Sequence, residues 1–253
     1  MARILTIHQQ LRAERATGFR PDIEGLRAIA VVAVLLYHGD IGPFDGGFVG
    51  VDVFFVVSGF LITRLLIRDL SKAGASALPN FWARRARRLL PASALVILAT
   101  VLVGWLVLDP LTHQSLGRDA VAAAAFVSNM VFAQQEGDYF ASELAPSPLL
   151  HFWSLSVEEQ FYLIWPVILL FVVRVQSGRR TVLIGTIAGL WVLSFGASLW
   201  LTSSNPSWAF YLLPTRAWEL LSGAAVAVAA PMFASVVSRR SRAVLGWAGV
   251  IAI

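Results

Sequence analysis

Two ionisable residues stand at the ends of an apolar stretch near the start of the chain. The stretch LRAIAVVAVLLYHGD carries Arg27 at one end and His38 at the other. At about 100° per residue, eleven positions make three helical turns plus about 20°, so both residues share one helix face, roughly 16 Å apart. A histidine titrates near neutral pH and suits a general base. The pair is a candidate catalytic site; the alternative is an arginine that snorkels to headgroups and a histidine that caps the helix.

The second candidate site is an arginine cluster in the block FWARRARRLLPA, with Arg84, Arg85, Arg87 and Arg88. Guanidinium groups bind phosphate with two parallel hydrogen bonds. Four of them at helical spacing could hold a pyrophosphate and a ribose phosphate together. The alternative is a generic anchor for anionic lipid.

Carboxylates form the third group. Asp52 stands near the start of GVDVFFVVSGFLIT, and Glu158 and Glu159 are neighbours in LLHFWSLSVEEQFYLIWP. Neighbours on a helix point about 100° apart, so we expect only one of the two glutamates to face a site. Ser58 and Gly59 lie about two turns beyond Asp52, where small residues would leave room for a thin, uncharged chain between helices.

The remaining ionisable residues predict no metal site. The chain has no cysteine, which excludes disulfides, thiolate metal sites and a cysteine nucleophile. No set of histidines and carboxylates has the spacing of metal ligands, so we expect no metal. Arg216 and Glu219 stand at i and i+3, a spacing that favours a pair that neutralises itself.

Membrane helices must position these residues, because the chain is 57% hydrophobic and only 14% charged. We expect an all-α transmembrane helix bundle, with a cytoplasmic tail at 1–22 and one transmembrane domain at 23–253. The last apolar run is too short to cross a bilayer, so we expect the domain to be incomplete at its C-terminus. Apolar spans are predicted near 24–38, 49–70, 88–108, 119–134, 158–175, 180–201 and 211–230, and one opens at about 243.

Charge distribution predicts the topology. If every span crossed, the acidic loop 135–157 would lie inside and six later arginines outside, against the positive-inside rule. If 119–134 instead dips in and returns, or lies at the outer surface, the inside holds 18 basic and 4 acidic residues and the outside 2 basic and 11 acidic. We therefore predict a cytoplasmic N-terminus, six full crossings, one half-crossing and the start of a seventh. The arginine cluster then lies at the inner face and the carboxylates and His38 at the outer face.

Five blocks in this order resemble the acyltransferase-3 family of bacterial integral membrane O-acyltransferases. The blocks are FRPDIEGLRAIAVVAVLLYH, GGFVGVDVFFVVSGFLIT, FWARRARRLLPA, LLHFWSLSVEEQFYLIWP and FYLLPTRAWELLSGA. The resemblance implies that the Arg-x10-His pair of the family falls on Arg27 and His38. It also implies that the arginine motif of the family, with two intervening residues, falls on Arg84 with Arg87 or on Arg85 with Arg88.

The resemblance implies transfer of an acyl group, usually acetyl from acetyl-CoA, to a sugar hydroxyl of an envelope glycan or glycolipid. We expect a multi-pass protein of the bacterial inner membrane whose partners are the bilayer, acyl-CoA and a glycan acceptor, with no nucleic acid. The inner arginines would hold the nucleotide end of the donor. The thin arm of the donor would pass Ser58 and Gly59 toward His38 and carry the acyl group outward. His38 would take the proton of the sugar hydroxyl, with Asp52, Glu158 or Glu159 as its acidic partner.

Two alternatives stay open. In the first, His38 itself is acylated before the acyl group moves to the acceptor. In the second, the protein is a transporter or flippase that uses its Arg, His and carboxylate side chains as a substrate or proton path. Such transporters commonly contain inverted repeats, and the sequence shows none, so the acyltransferase is the favoured reading.

Overall fold

The computed structural model describes residues 20–43, 45–137, 146–175 and 180–236. Every regular element in these ranges is helical, which confirms the predicted all-α fold for this part of the chain. The predicted span that opens near 243 lies outside the described residues. The α-helices are α1 (Pro21–His38), α2 (Gly50–Ala73), α3 (Ala77–Val107), α4 (His113–Ala124), α5 (Ser128–Gly137), α6 (Phe152–Val175), α7 (Arg180–Ser204), α8 (Pro206–Tyr211) and α9 (Leu213–Val236).

Three helical stretches in the described ranges are long and apolar enough to cross a membrane. They are Gly47–Val107, which contains α2 and α3, Phe152–Arg174 in α6, and Arg180–Ser204, which is α7. The prediction of helices long and apolar enough to cross a membrane is thus confirmed for these stretches. The count of six crossings and the cytoplasmic N-terminus stay predictions.

The predicted half-crossing at 119–134 consists of two helices and a break. At about 1.5 Å per residue, α4 and α5 are each too short to cross a hydrocarbon layer of about 30 Å. Phe126 lies between them with a φ of 54°, a left-handed conformation that a bulky residue rarely adopts. The chain therefore does not continue as one helix through this segment, as a half-crossing requires.

The chain divides into two compact units. The described part of the first unit, residues 20–43 and 45–57, consists of α1, the short 3₁₀ helix Gly47–Val49 and the start of α2. A Cβ at Gly47 would overlap the carbonyl oxygen of Ala33. A Cβ at Gly50 would likewise overlap that of Ala30. Glycine therefore allows α1 to pack directly on the backbone that leads into α2.

The second unit covers Ser58–Val236. In it, α9 packs chiefly on α7, and α5 packs on α8. Two hydrogen-bonded pairs fix α6 in this unit: Trp165 Nε1 donates to Thr63 Oγ1 of α2 at 2.8 Å, and the Ser128 and Ser156 hydroxyl oxygens lie 2.8 Å apart. The fully buried apolar side chains include Leu66, Phe132, Leu149, Trp165, Leu169 and Leu220.

Candidate functional site

A cluster of ionisable side chains lies in the second unit, between α2, α3 and α6. Arg85 of α3 donates from Nε to Glu159 Oε1 of α6 at 2.7 Å. Its Nη2 lies 4.0 Å from Glu158 Oε2. The Arg85 side chain is 23% exposed and the two glutamates are 17% and 18% exposed. The cluster is therefore largely withdrawn from water, which strengthens the electrostatic interactions within it.

Ser58 and Tyr162 complete the cluster. The Ser58 hydroxyl donates to Glu158 Oε1. The Arg85 Cζ lies 3.5 Å from the centroid of the Tyr162 ring, which makes a cation–π contact. Trp82 Nε1 donates to the Tyr162 carbonyl at 3.0 Å and fixes α3 against α6. Tyr162 was not among the predicted site residues, and its only signal in the sequence is its place one helical turn after Glu158.

These contacts contradict the prediction that the whole arginine cluster and the two glutamates lie at opposite membrane faces. A charge inside a helix bundle is costly unless an opposite charge meets it, and Arg85 meets Glu159 directly. That only one glutamate faces the site of proton transfer stays a prediction, but at Arg85 the two converge. Both side chains are long enough to converge on Arg85 from positions about 100° apart on α6.

The remaining arginines of the block lie apart from this cluster. Arg84, Arg87 and Arg88 are exposed on α3. Arg84 Nη2 pairs with Asp69 Oδ2 of α2 at 2.8 Å. Positions three and four apart on a helix are surface neighbours, so these guanidinium groups lie on one side of α3. They are the part of the block that is accessible to a phosphate ligand.

At Gly59 the structure differs from the expectation of free space for a thin chain. The Leu220 backbone of α9 lies against this glycine, and a Cβ there would overlap the Leu220 carbonyl oxygen. A small residue is therefore needed for close packing of α2 on α9. The neighbouring Ser58 contributes its hydroxyl to the cluster and does not simply make room.

Gln160 links the cluster to the break between α4 and α5. Its Nε2 donates to the Phe126 carbonyl at 2.9 Å and to Asn129 Oδ1 at 2.8 Å. Asn129 is fully buried and donates to the Tyr211 carbonyl at 3.1 Å. Three successive residues of α6, from Glu158 to Gln160, thus bond α2, α3 and the α4–α5 break. Neither amide was predicted, because a neutral side chain gives no charge signal.

Arg27 and His38 lie on α1 of the first unit. Arg27 Nη1 is 3.1 Å from Glu24 Oε1, three positions earlier. His38 is exposed, and its Nδ1 is 2.9 Å from the Val34 carbonyl oxygen. A carbonyl oxygen only accepts, so Nδ1 is the donor and Nε2 of the neutral ring carries the lone pair. This tautomer can take a proton at Nε2.

The other predicted sites have different outcomes. Asp52 lies in the first turn of α2 and is half-buried. The predicted pair of Arg216 and Glu219 is confirmed, with 3.0 Å between Nη1 and Oε1. In the described part of the chain, no three His, Asp or Glu side chains cluster in a way that could hold a metal ion. A metal-free reaction nevertheless stays a prediction.

Comparisons with known proteins point to one family. A family model described as an acyltransferase domain matches residues 20–253. The peptidoglycan O-acetyltransferase OatA of Listeria monocytogenes is 42% identical over 240 residues, which is 92% of this chain and 38% of that protein. The O-acetyltransferase OatA of Staphylococcus aureus is 38% identical over 216 residues, which is 85% of this chain and 36% of that protein. The chain thus spans little more than a third of the length of these relatives. No solved structure matches it.

Proposed function

Because the chain belongs to the acyltransferase-domain family, we propose that it is the membrane part of an O-acetyltransferase of the bacterial cell envelope. It transfers an acetyl group from cytoplasmic acetyl-CoA, or another acyl-CoA, to a hydroxyl of peptidoglycan or a related envelope glycan. The similarity to the Listeria protein over 92% of this chain carries the proposal. The transmembrane domain takes in residues 23–253, after a cytoplasmic tail at 1–22.

The proposed topology places the N-terminus in the cytoplasm of a cell-membrane protein with six full crossings, a half-crossing at α4 and α5, and the start of a seventh crossing. The excess of basic residues in the assigned inner segments supports it even when Arg85, which meets Glu159 inside the bundle, is left out of the count. The short lengths of α4 and α5 support it too. A reporter fused after residue 140 is expected to read extracytoplasmic. A cytoplasmic signal from that fusion would contradict the half-crossing.

The donor meets the protein through the exposed arginines of α3. Phosphates cannot enter hydrocarbon, so the nucleotide end of acyl-CoA stays at the membrane surface. Arg84, Arg87 and Arg88 offer accessible guanidinium groups that can bind such phosphates with paired hydrogen bonds. Arg85 belongs to the interior cluster, and its charge is opposed there by Glu159. The fit of the exposed arginines to phosphate supports an acyl-CoA donor.

Proton transfer is assigned to His38. Its Nε2 takes the proton of the acceptor hydroxyl, and the ring is held by the bond from Nδ1 to the Val34 carbonyl. A carboxylate stabilises the imidazolium that forms, and Asp52 is the candidate that belongs to the same unit as His38. Arg27 contacts the donor or fixes α1 for this step.

Proteoliposomes with labelled acetyl-CoA on one side and a peptidoglycan fragment on the other test the function. Covalent label on the fragment is the expected result, whereas movement of unmodified solute without label would indicate a transporter. The triple variant Arg84→Ala, Arg87→Ala and Arg88→Ala is expected to raise the KM for acetyl-CoA and leave acceptor binding unchanged. The matched control is Arg118→Ala, since Arg118 is also exposed and lies on α4. An equal KM in the triple variant and the control would favour a lipid anchor.

A further inference from the structure

Ser58 makes a hydrogen bond that sets it apart from the other serines in the described ranges. Helical serines commonly bond a carbonyl one turn back, as Ser71, Ser154 and Ser203 do. Ser58 instead donates to Glu158, a carboxylate on another helix and 100 positions away in the chain. Among the described serines it alone donates to a carboxylate. A hydroxyl bonded to a carboxylate is the geometry of a nucleophile beside its general base.

Arg85 pairs more closely with Glu159 than with Glu158. Arg85 Nε lies 2.7 Å from Glu159, whereas its Nη2 lies 4.0 Å from Glu158. The guanidinium therefore pairs closely with Glu159, and Glu158 Oε1 accepts the Ser58 proton. Ser58 is half-buried and Glu158 is 17% exposed, so a thin substrate can approach both.

The position of Ser58 along α2 suits a donor that is held by the arginines. The Arg84–Asp69 pair joins α3 to the second half of α2. Eleven residues separate Asp69 from Ser58, which is about 16 Å along a helix. A flexible arm whose phosphates rest on the exposed arginines could thus bring its far end to the Ser58 hydroxyl inside the helix bundle.

We propose that Ser58 is the nucleophile that carries the acyl group through the protein, with Glu158 as its general base; this proposal rests on the proposed acyl-CoA-dependent transfer. The Ser58 oxygen attacks the thioester carbonyl carbon and passes its proton to Glu158. The C–S bond breaks, and the thiolate takes that proton and leaves as the free CoA thiol, so that an acyl ester of Ser58 remains. An acceptor hydroxyl then attacks this ester and gives its proton to His38 Nε2, as in the proposed function; the bond to the Ser58 oxygen breaks, and solvent carries that proton back to Ser58.

Trapping of the acyl-enzyme tests this step. The protein in lipid nanodiscs is incubated with labelled acetyl-CoA without acceptor, digested and analysed by mass spectrometry, and transfer to a peptidoglycan fragment is measured in parallel. One acetyl group on the peptide that contains Ser58 is expected. Ser58→Ala is expected to lose the adduct and at least about 100-fold in transfer rate, within the range for loss of a general-base-assisted step.

Two further variants separate catalysis from packing. Thr63→Val removes the hydrogen bond from Trp165 that joins α6 to α2 away from Ser58, and it is expected to lower thermal stability while the adduct still forms. Ser58→Cys retains a nucleophile, and because the chain has no cysteine, acetyl-CoA is expected to protect the single thiol of this variant from maleimide. Both variants keep the test informative if Ser58→Ala fails to fold.

The outcomes distinguish failure of the acyl transfer through Ser58, called the relay here, from failure of the proposed O-acetyltransferase function. Normal transfer by folded Ser58→Ala, or transfer by the wild type with the adduct on another residue, would overturn the relay and leave the O-acetyltransferase assignment standing. If the wild type neither releases the CoA thiol nor labels the fragment, the proposed function fails and the relay with it. An adduct on Ser58 that disappears when acceptor is added supports both.

Discussion

Ionisable side chains on α1 and on α6 are held in different ways. On α1, Arg27 pairs with Glu24 and His38 bonds Val34, so both contacts stay within one helix. The side chains of Arg27 and Glu24 are 36% and 48% exposed. On α6, Glu158 and Glu159 bond residues 100 and 74 positions away in the chain, and their side chains are less than a fifth exposed.

This difference separates side chains that are only oriented for chemistry from side chains that also stabilise the helix bundle. A contact within one helix orients a side chain without involving the rest of the fold, so its loss changes chemistry more than stability. A contact between helices at low exposure contributes to both, because its loss leaves an uncompensated charge in the bundle. Substitutions on α1 are thus expected to affect rate alone, and substitutions in the α6 cluster to affect rate and stability together.

The largest expected effect is on rate, at His38. Removal of a general base typically lowers a rate by about 10²- to 10⁴-fold, so His38→Ala is expected to lose this much acyl transfer to a peptidoglycan fragment. Donor binding is expected to persist, because the exposed arginines of α3 are unchanged. Melting temperature in detergent serves as the control and is expected to stay the same. A folded His38→Ala protein with a normal transfer rate would show that His38 is not the general base.

The next effect is on stability, at Arg85. Arg85→Ala leaves Glu158 and Glu159 without the guanidinium, at a cost of up to about 3 kcal/mol for a partly exposed site. Arg84→Ala is the matched control, because Arg84 is 50% exposed in its pair with Asp69 and such surface pairs contribute about 0–1 kcal/mol. Thermal melting in detergent measures both.

A double variant sharpens the Arg85 prediction. Arg85→Ala with Glu159→Gln removes the arginine together with its closest carboxylate, so much of the lost stability is expected to return. If the double variant is no more stable than Arg85→Ala, packing of Arg85 on Tyr162 matters more than charge.

Periodicity and local spacing predicted much of the fold. The span predicted at 180–201 corresponds to α7, and the span at 24–38 lies within α1. The pair of Arg216 and Glu219 followed from their spacing of three on one helix. Each of these depends on residues close together in the chain, which is why the sequence alone was sufficient.

Contacts between distant segments were not predictable in the same way. The predicted topology depends on the charges of separate loops, and such charges cannot reveal that Arg85 reaches Glu159, 74 positions later. The break at Phe126 carries no glycine or proline signal, and its carbonyl is bound by Gln160, 34 positions away. In both cases tertiary packing decided the outcome, and the interior site consists of such contacts.

A smaller effect on stability is expected at Gly59. In Gly59→Ala the new Cβ meets the Leu220 carbonyl oxygen, and the strain of separating α2 from α9 is expected to cost about 1–3 kcal/mol. Gly189→Ala on α7 is the matched control, because nothing lies within 4 Å of a Cβ there. The control should be neutral or stabilising, since alanine favours helix over glycine. Equal melting temperatures for the two variants would mean that α2 and α9 do not pack this closely.

The smallest effect on stability, and the sharpest test of the contrast, is Arg27→Lys. Lysine keeps the charge opposite Glu24, and such pairs contribute only about 0.2–0.5 kcal/mol, so the melting temperature is expected to stay within error. Lysine loses the planar fork of the guanidinium, so the KM for acetyl-CoA is expected to rise if Arg27 contacts the donor. Arg118→Lys, at another arginine whose side chain is exposed, controls for a general effect of the exchange. A lower melting temperature without a change in KM would show that Arg27, like Arg85, serves the fold, and the distinction between α1 and α6 would fail.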